Sequence, residues 1–187
     1  MKQVKTMKVD ELTEKIDALE GVTLTADANT ITVKGAKGEL SRYFPSRKVL
    51  VTVADNAVTI RAKNATAREK KLVYTFRSHI RNMMRGVTEG HVYKLKICSG
   101  HFPMNVSVKG NALEVKNFIG EAVPRQMPIA EGAAVKVEGD IITVEGINKE
   151  LVGQVAARIE NLTKRPGFDS RVFQDGIYLI EKDGEAL

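Results

Sequence analysis

The chain has a single cysteine, Cys98, among 187 residues, so no intrachain disulfide can form and a cysteine-based zinc site is excluded. Histidine is almost as scarce. His79, His91 and His101 show no metal-ligand spacing, which argues against a metal-dependent hydrolase. No apolar run approaches the ~20 residues that a membrane-spanning helix needs. Met1-Lys-Gln-Val-Lys5 leads into a charged segment and not an apolar signal core, so a cytoplasmic product is expected. Catalytic constellations are missing too. Cys98-Ser-Gly-His101 would point its thiol and imidazole to opposite faces of an extended chain, with no third group to orient them. Paired carboxylates and a nucleophile elbow are absent. The expectation is therefore a protein that is not an enzyme and takes no small-molecule substrate.

What is present is positive charge, unevenly spread. The net charge is +6, which favours a polyanionic partner. Residues 1–90 hold 17 Lys and Arg against 10 Asp and Glu, a net of +7, whereas residues 91–187 hold 12 against 13, a net of −1. Composition is otherwise that of a globular domain, with 43% hydrophobic and 28% charged residues.

From residue 21 the chain reads as one pattern written twice. Val22–Ala26 and Ile31–Lys34 flank the turn Asp27-Ala-Asn29, and Val49–Val53 and Val58–Arg61 flank Asp55-Asn56. In the second half Val106–Lys109 and Leu113–Lys116 flank Gly110-Asn111, and Val135–Glu138 and Ile141–Val144 flank Gly139-Asp140. Alternating runs about such residues are hairpin signals, because Asp, Asn and Gly tolerate the backbone angles of tight turns. Val33-Lys-Gly-Ala-Lys-Gly38 matches Val115-Lys-Asn-Phe-Ile-Gly120 at a shift of 82 residues, and Val58-Thr-Ile60 matches Ile142-Thr-Val144 at 84. A tandem duplication is the reading. A hairpin at Asp175-Gly176 is expected to close the chain.

Each half ends its strands with a helical pattern. The first is predicted over about Ala65–Arg85, with Thr66-Ala-Arg-Glu69 as a capping box and Gly86 as its stop. Leu72, Val73, Phe76, Ile80, Met83 and Met84 form its apolar stripe. Lys70, Lys71, Arg77, Arg81 and Arg85 form the opposite face with almost no acid, which suggests an anionic surface lying against it, although a solvated face remains the alternative. The second helix, about Asn148–Thr163, buries Leu151, Val152, Val155, Ile159 and Leu162 and has a mixed outer face. Val9, Leu12, Ile16 and Leu19 form a third amphipathic stretch, read as a short helix packed on the first domain or a partner-facing extension. Gly35-Ala-Lys-Gly38 has the spacing of a phosphate-gripping loop but sits between strands. It reads as a glycine-rich hairpin whose Lys34 and Lys37 remain available to phosphate. Phe102 and Phe118 read as core residues before stacking platforms.

The combination of motifs carries a resemblance. Phe76-Arg-Ser-His-Ile-Arg-Asn-Met-Met-Arg-Gly-Val-Thr-Glu-Gly90 resembles the helix and exit turn of the first domain in one ribosomal family, that of the large-subunit protein ranked sixth in the bacterial scheme. His101-Phe-Pro-Met104, Asn117-Phe-Ile-Gly-Glu121 and Pro124-Arg125 resemble the entry to its second domain in the archaeal and eukaryotic branch. Arg171-Val-Phe-Gln-Asp-Gly-Ile-Tyr178, followed by Lys182, resembles that branch's C-terminal signature. The motifs span about residues 21–182 in the family's order.

The resemblance implies an α+β fold of two tandem duplicated domains, each an antiparallel sheet with one packed helix. Residues 1–20 would be an N-terminal extension, 21–90 the first repeat, and 91–187 the second with its tail. It also implies a structural constituent of the large ribosomal subunit that binds large-subunit ribosomal RNA near the centre where translation GTPase factors dock, beside neighbouring ribosomal proteins. A free-standing RNA-binding or chaperone module is the alternative. Expected RNA contacts are Lys37, Lys70, Lys71, Arg77 and Arg81 in the first domain. In the second they are His101, Lys116, Asn117, Arg125, Lys164, Arg165, Arg171 and Lys182. Two features depart from the family pattern. The stretch to Glu20 is longer than the family needs, and the second domain is net negative although the family makes principal contacts through it. Glu181, Asp183 and Glu185 should repel phosphate and turn the last residues away from RNA.

Overall fold

The computed structural model describes residues 9–169 and 171–187. The chain divides into two compact units, one ending at Glu89 and the other beginning at Gly90.

In the first unit, strands β1 (Val9–Asp17), β6 (Ala57–Ala65) and β5 (Val49–Ala54) form one antiparallel sheet in the order β1-β6-β5. Strands β2 (Thr23–Asp27), β3 (Thr30–Gly35) and β4 (Gly38–Tyr43) form a second in chain order. Alternation decides which faces are buried: Ile31 and Val33, Val49 and Val51, and Val58, Ile60 and Ala62 all lie in the core. Helix α1 (Ala67–Thr88) packs Val73, Phe76, Ile80, Met83, Met84 and Val87 onto these strands. Phe76 meets Phe44 edge-on at 4.8 Å between ring centroids.

The start of α1 follows the predicted capping box. Thr66 accepts from the Arg68 amide at 3.3 Å, and the Glu69 carboxylate accepts from the Thr66 amide at 2.9 Å. Hydrogen bonds from the Thr66 side chain and backbone hold the Glu69 carboxyl down at about 2. A depressed acid stabilises the fold above its ordinary value, and that contribution is lost as pH falls toward 2. Thr66→Ala should cost about 1 kcal/mol in urea unfolding of the first unit. No loss at neutral pH would show that the box adds nothing.

Two expectations at this end of the chain are corrected. Residues 9–17 form a strand and not a helix. Helical spacing would bury Val9 and Leu19, yet these are 53% and 43% exposed, while Leu12, Glu14 and Ile16 turn inward at a period of two. The deciding partner is the long edge of β6, which pairs with β1 from Val9↔Ala65 to Asp17↔Ala57. Residues 9–17 are thus part of the first unit's sheet and no appendage; residues 1–8 lie outside the described residues. Gly86 does not stop α1 either. It is buried inside the helix, which runs on to Thr88 and ends before Gly90, where φ is +79°. Packing overrides a helix-interior glycine costing about 1 kcal/mol. The extra turn seats Val87 against Gly35, where an added Cβ would lie 2.7 Å from the valine Cγ2.

The second unit repeats the plan. Strands β8 (Asn105–Lys109), β9 (Ala112–Lys116) and β10 (Arg125–Pro128) form one sheet, as β2, β3 and β4 do. Strands β7 (His91–Cys98), β11 (Ala133–Glu138) and β12 (Ile141–Gly146) pair as β1, β5 and β6 do, covered by helix α2 (Lys149–Leu162). The matched hairpins even share register: Val51 faces Ile60, and Val135 faces Val144, 84 residues on. The duplication is therefore structural as well as textual.

The second copy adds β13 (Gly176–Lys182) and β14 (Glu185–Ala186), which extend the sheet to β11-β12-β7-β13-β14. This corrects the terminal turn. The closing hairpin turns at Asp183-Gly184, while Gly176 opens β13 opposite Cys98. Asp175-Gly176 fails as a turn because the Asp175 carboxylate is buried and accepts hydrogen bonds from the 100–101 backbone.

Candidate nucleic-acid interface

The basic face of α1 is partly neutralised in place. Arg77 reaches Glu14 of β1 at 3.4 Å, and Arg85 lies 3.9 Å from Glu89. Sequence alone does not show Glu14, because helical spacing over residues 9–19 does not turn it toward α1 as the strand's period of two does. Lys70, Lys71 and Arg81 are exposed and have no acidic partner among the described residues. Lys70, half-exposed Tyr74, Arg77 and Arg81 fall at helical spacing on one stripe, with Lys70 and Arg77 about 6 Å from the Tyr74 ring.

Lys37 has another use. Its backbone amide donates to the Val87 carbonyl at 2.9 Å and its ammonium donates to the Glu89 carbonyl, so it closes the C-terminal end of α1. Arg125 does the same for α2. One guanidinium nitrogen donates to the Leu162 carbonyl at 2.6 Å, while two others grip Glu121 at 2.7 and 2.6 Å. That guanidinium also lies 4.4 Å from the centroid of the buried Phe118 ring. A cation at a helix C-terminus complements the dipole and satisfies orphan carbonyls. Each repeat thus uses one cation to finish its helix, taken from different places in the chain.

The remaining second-unit residues separate into two sets. Lys116 at the end of β9 lies 3.6 Å from Glu114, and Lys182 is exposed on β13. The tail acids are committed internally. Glu181 pairs with Lys94 at 3.0 Å, and Asp183 accepts from Lys149 at 3.1 Å and from the Val92 amide and lies 2.9 Å from the His91 ring.

The other set converges at the C-terminal end of α2. His101 stands 2.5 Å from Asp175 through its Nδ1, and its ring tilts on Phe173 at 5.5 Å. Phe173 meets Phe168 edge-on at 5.0 Å, and the Arg165 guanidinium lies over Phe168 at 4.0 Å. Asn117, in the left-handed region, donates its amide to the Pro103 carbonyl at 3.0 Å. Phe102 rests against Gly120, where an added Cβ would meet the ring at 3.6 Å. Lys164 is exposed beside this group, and Arg171 pairs with Asp169 at 3.2 Å. Three stretches far apart in sequence, 101–104, 117–121 and 171–178, therefore meet in one place. Phe168 was missed by the sequence reading. Its only signal was an aromatic following the turn-forming Pro166-Gly167 beside Lys164-Arg165.

A family model described as ribosomal protein L6 matches residues 20–90 and 102–176. The chain belongs to the ribosomal protein L6 family. The two matched segments correspond to the two structural repeats. Relatives named large ribosomal subunit protein uL6 agree in length and sequence. The protein from Methanobrevibacter smithii is 44% identical over 170 residues, covering 91% of this chain and 96% of the relative. Those from Methanosarcina mazei and Methanococcus vannielii are 42% and 41% identical over 174 residues, covering 93% of this chain and 99% and 96% of the relatives. Membership makes the chain a structural, non-enzymatic ribosome component.

Proposed function

We propose that this L6-family chain is a structural protein of the large ribosomal subunit that binds large-subunit ribosomal RNA near the centre where translation GTPase factors dock. The observation that carries this reading is the meeting of the family's separated motifs at the end of α2, beside Lys164 and Arg165. RNA helices conceal their deep-groove base edges, so contacts to phosphate and sugar suffice to position such a protein. The exposed α1 cations Lys70 and Arg81 of that stripe, with the adjacent Lys71, form a second phosphate-binding surface. Lys37 and Arg125 also hold the helix ends, so they serve the RNA-binding surface through the fold as well as by charge.

Filter binding of a large-subunit ribosomal RNA transcript across a salt series tests this. Each phosphate-contacting cation replaced by alanine should lower the slope of log K against log salt by about 1. A Lys70→Ala/Lys71→Ala/Arg81→Ala variant with an unchanged slope would remove the α1 stripe from the interface. Chemical footprints should concentrate on the RNA loop that stimulates factor GTPases. Protection confined to other regions overturns the location. A chain released from large subunits by a mild salt wash would instead be a free-standing RNA-binding module.

A further inference from the structure

Beside the converged motifs lies a cleft of about 420 Å³, between the end of α2, the start of β13 and the turn at Ile119. We infer that this cleft receives one unstacked nucleotide of the bound RNA, its base against Phe168 and Tyr178 and its phosphate on Lys164 and Arg165. The inference rests on the RNA-binding reading above and names what one part of that surface holds.

Size comes first. Pockets that enclose small organic ligands run to roughly 300–1,000 Å³, and this one lies at the lower end, suited to a single nucleotide and not a helix. Its lining is chiefly apolar and aromatic. Phe168 and Tyr178 are each 41% exposed, so two rings stand half in water at the same opening. The Arg165 guanidinium is stacked over the Phe168 ring at 4.0 Å, so ring and guanidinium form a two-layer platform whose outer plane can carry a base, and single-stranded RNA is recognised by bases stacked on aromatic rings and guanidinium planes.

Charge selects the occupant further. Of the two acids at the cleft, Asp175 is taken up by the backbone of Gly100 and His101 and by the His101 ring. Glu160 alone is outnumbered by Lys164 and Arg165. A cationic mouth over an aromatic wall suits an anionic backbone carrying a flat base.

The wall also carries backbone strain. Ile119 has φ +46° and ψ +40°, a conformation that β-branched residues avoid. It is held there by the burial of Phe118 and by the Asn117 hydrogen bond to Pro103. In the first repeat the matching position is Lys37, whose φ is not positive and whose backbone serves the end of α1. The strain therefore belongs to the copy with the cleft, and strained residues cluster at ligand sites.

The test is binding of a large-subunit ribosomal RNA transcript to the full chain and its Phe168→Ala and Phe168→Tyr variants. Stacking lost at one base should weaken binding about tenfold in Phe168→Ala, with the salt slope unchanged because no phosphate contact is removed. Phe168→Tyr should restore affinity. One unpaired nucleotide should be shielded from base-modifying reagents by the parent chain and exposed in the alanine variant. Phe168 is on the surface, so circular dichroism and melting should match the parent. If Phe168→Ala binds as the parent does, while Lys164→Ala/Arg165→Ala weakens binding and flattens the salt slope, the nucleotide site is overturned and RNA binding stands. If the parent chain fails to bind the transcript, both fall.

Discussion

Phe118→Ala is expected to destabilise the second unit by about 4 kcal/mol, the cost of emptying a large aromatic site that cannot collapse. The ring is only 1% exposed and belongs to the core formed with Leu113, Val115, Met127 and Ile159. It is also the platform beneath Arg125, whose hydrogen bonds close α2. Truncation thus removes core volume and loosens a helix end in one step. The site is boxed in by the tight turn to Gly120, which limits relaxation. In urea the transition of the second unit should move to lower denaturant, while the limb from the first unit stays in place. An Arg125→Ala/Phe118→Ala double variant should lose less than the sum of the two single changes, because the residues touch. A loss below about 1.5 kcal/mol for Phe118→Ala, or strict additivity, would mean that the turn is not anchored through this ring.

The hairpins were legible because their determinants are local. Asp55 and Asn56 both adopt positive φ, as the two-residue turn between β5 and β6 requires, and Gly110 and Gly139 do so in the second copy. The start of the first helix was legible for the same reason, since Thr66 makes the capping contacts its spacing predicts. What sequence could not display is which distant group each residue meets. Val9–Asp17 carries a pattern compatible with either period, and only the free edge of β6 selects a strand. Gly86 has the form of a stop, and only the gap at Gly35 keeps the helix going. The site followed the same division. Lys37 and Arg125 are cations in the right motifs, but charge along a chain does not reveal the carbonyls of Glu89 and Leu162 that claim them. Phe168, outside every quoted motif, enters the site because it packs on Phe173, which lies against the His101 ring that Asp175 holds.

Asp175 is the tie that makes that fold-back, and Asp175→Ala should cost about 3 kcal/mol at neutral pH, since it leaves the Gly100 and His101 amides without their acceptor. Burial pushes the Asp175 carboxyl upward. Hydrogen bonds from the His101 backbone and ring and from the Gly100 amide, with the His101 charge, outweigh it and hold the group below its ordinary 3.8. A carboxyl depressed in the folded state adds stability that is fully present above its unfolded value and is lost as pH falls through its folded one. The difference in stability between parent and Asp175→Ala should therefore be widest above pH 3.8 and narrow below it. Asp175→Asn retains one oxygen for the two amides and should recover part of the loss while keeping the flattened acid response. Because His101, Phe173 and Phe168 lean on one another in series, Asp175→Ala should also lower RNA affinity more than its lost charge predicts. Removing a negative charge near Lys164 and Arg165 would by itself strengthen phosphate binding. An Asp175→Ala variant that binds RNA more tightly than the parent, with an unchanged acid-unfolding profile, would show that the loop holds its shape without this carboxylate.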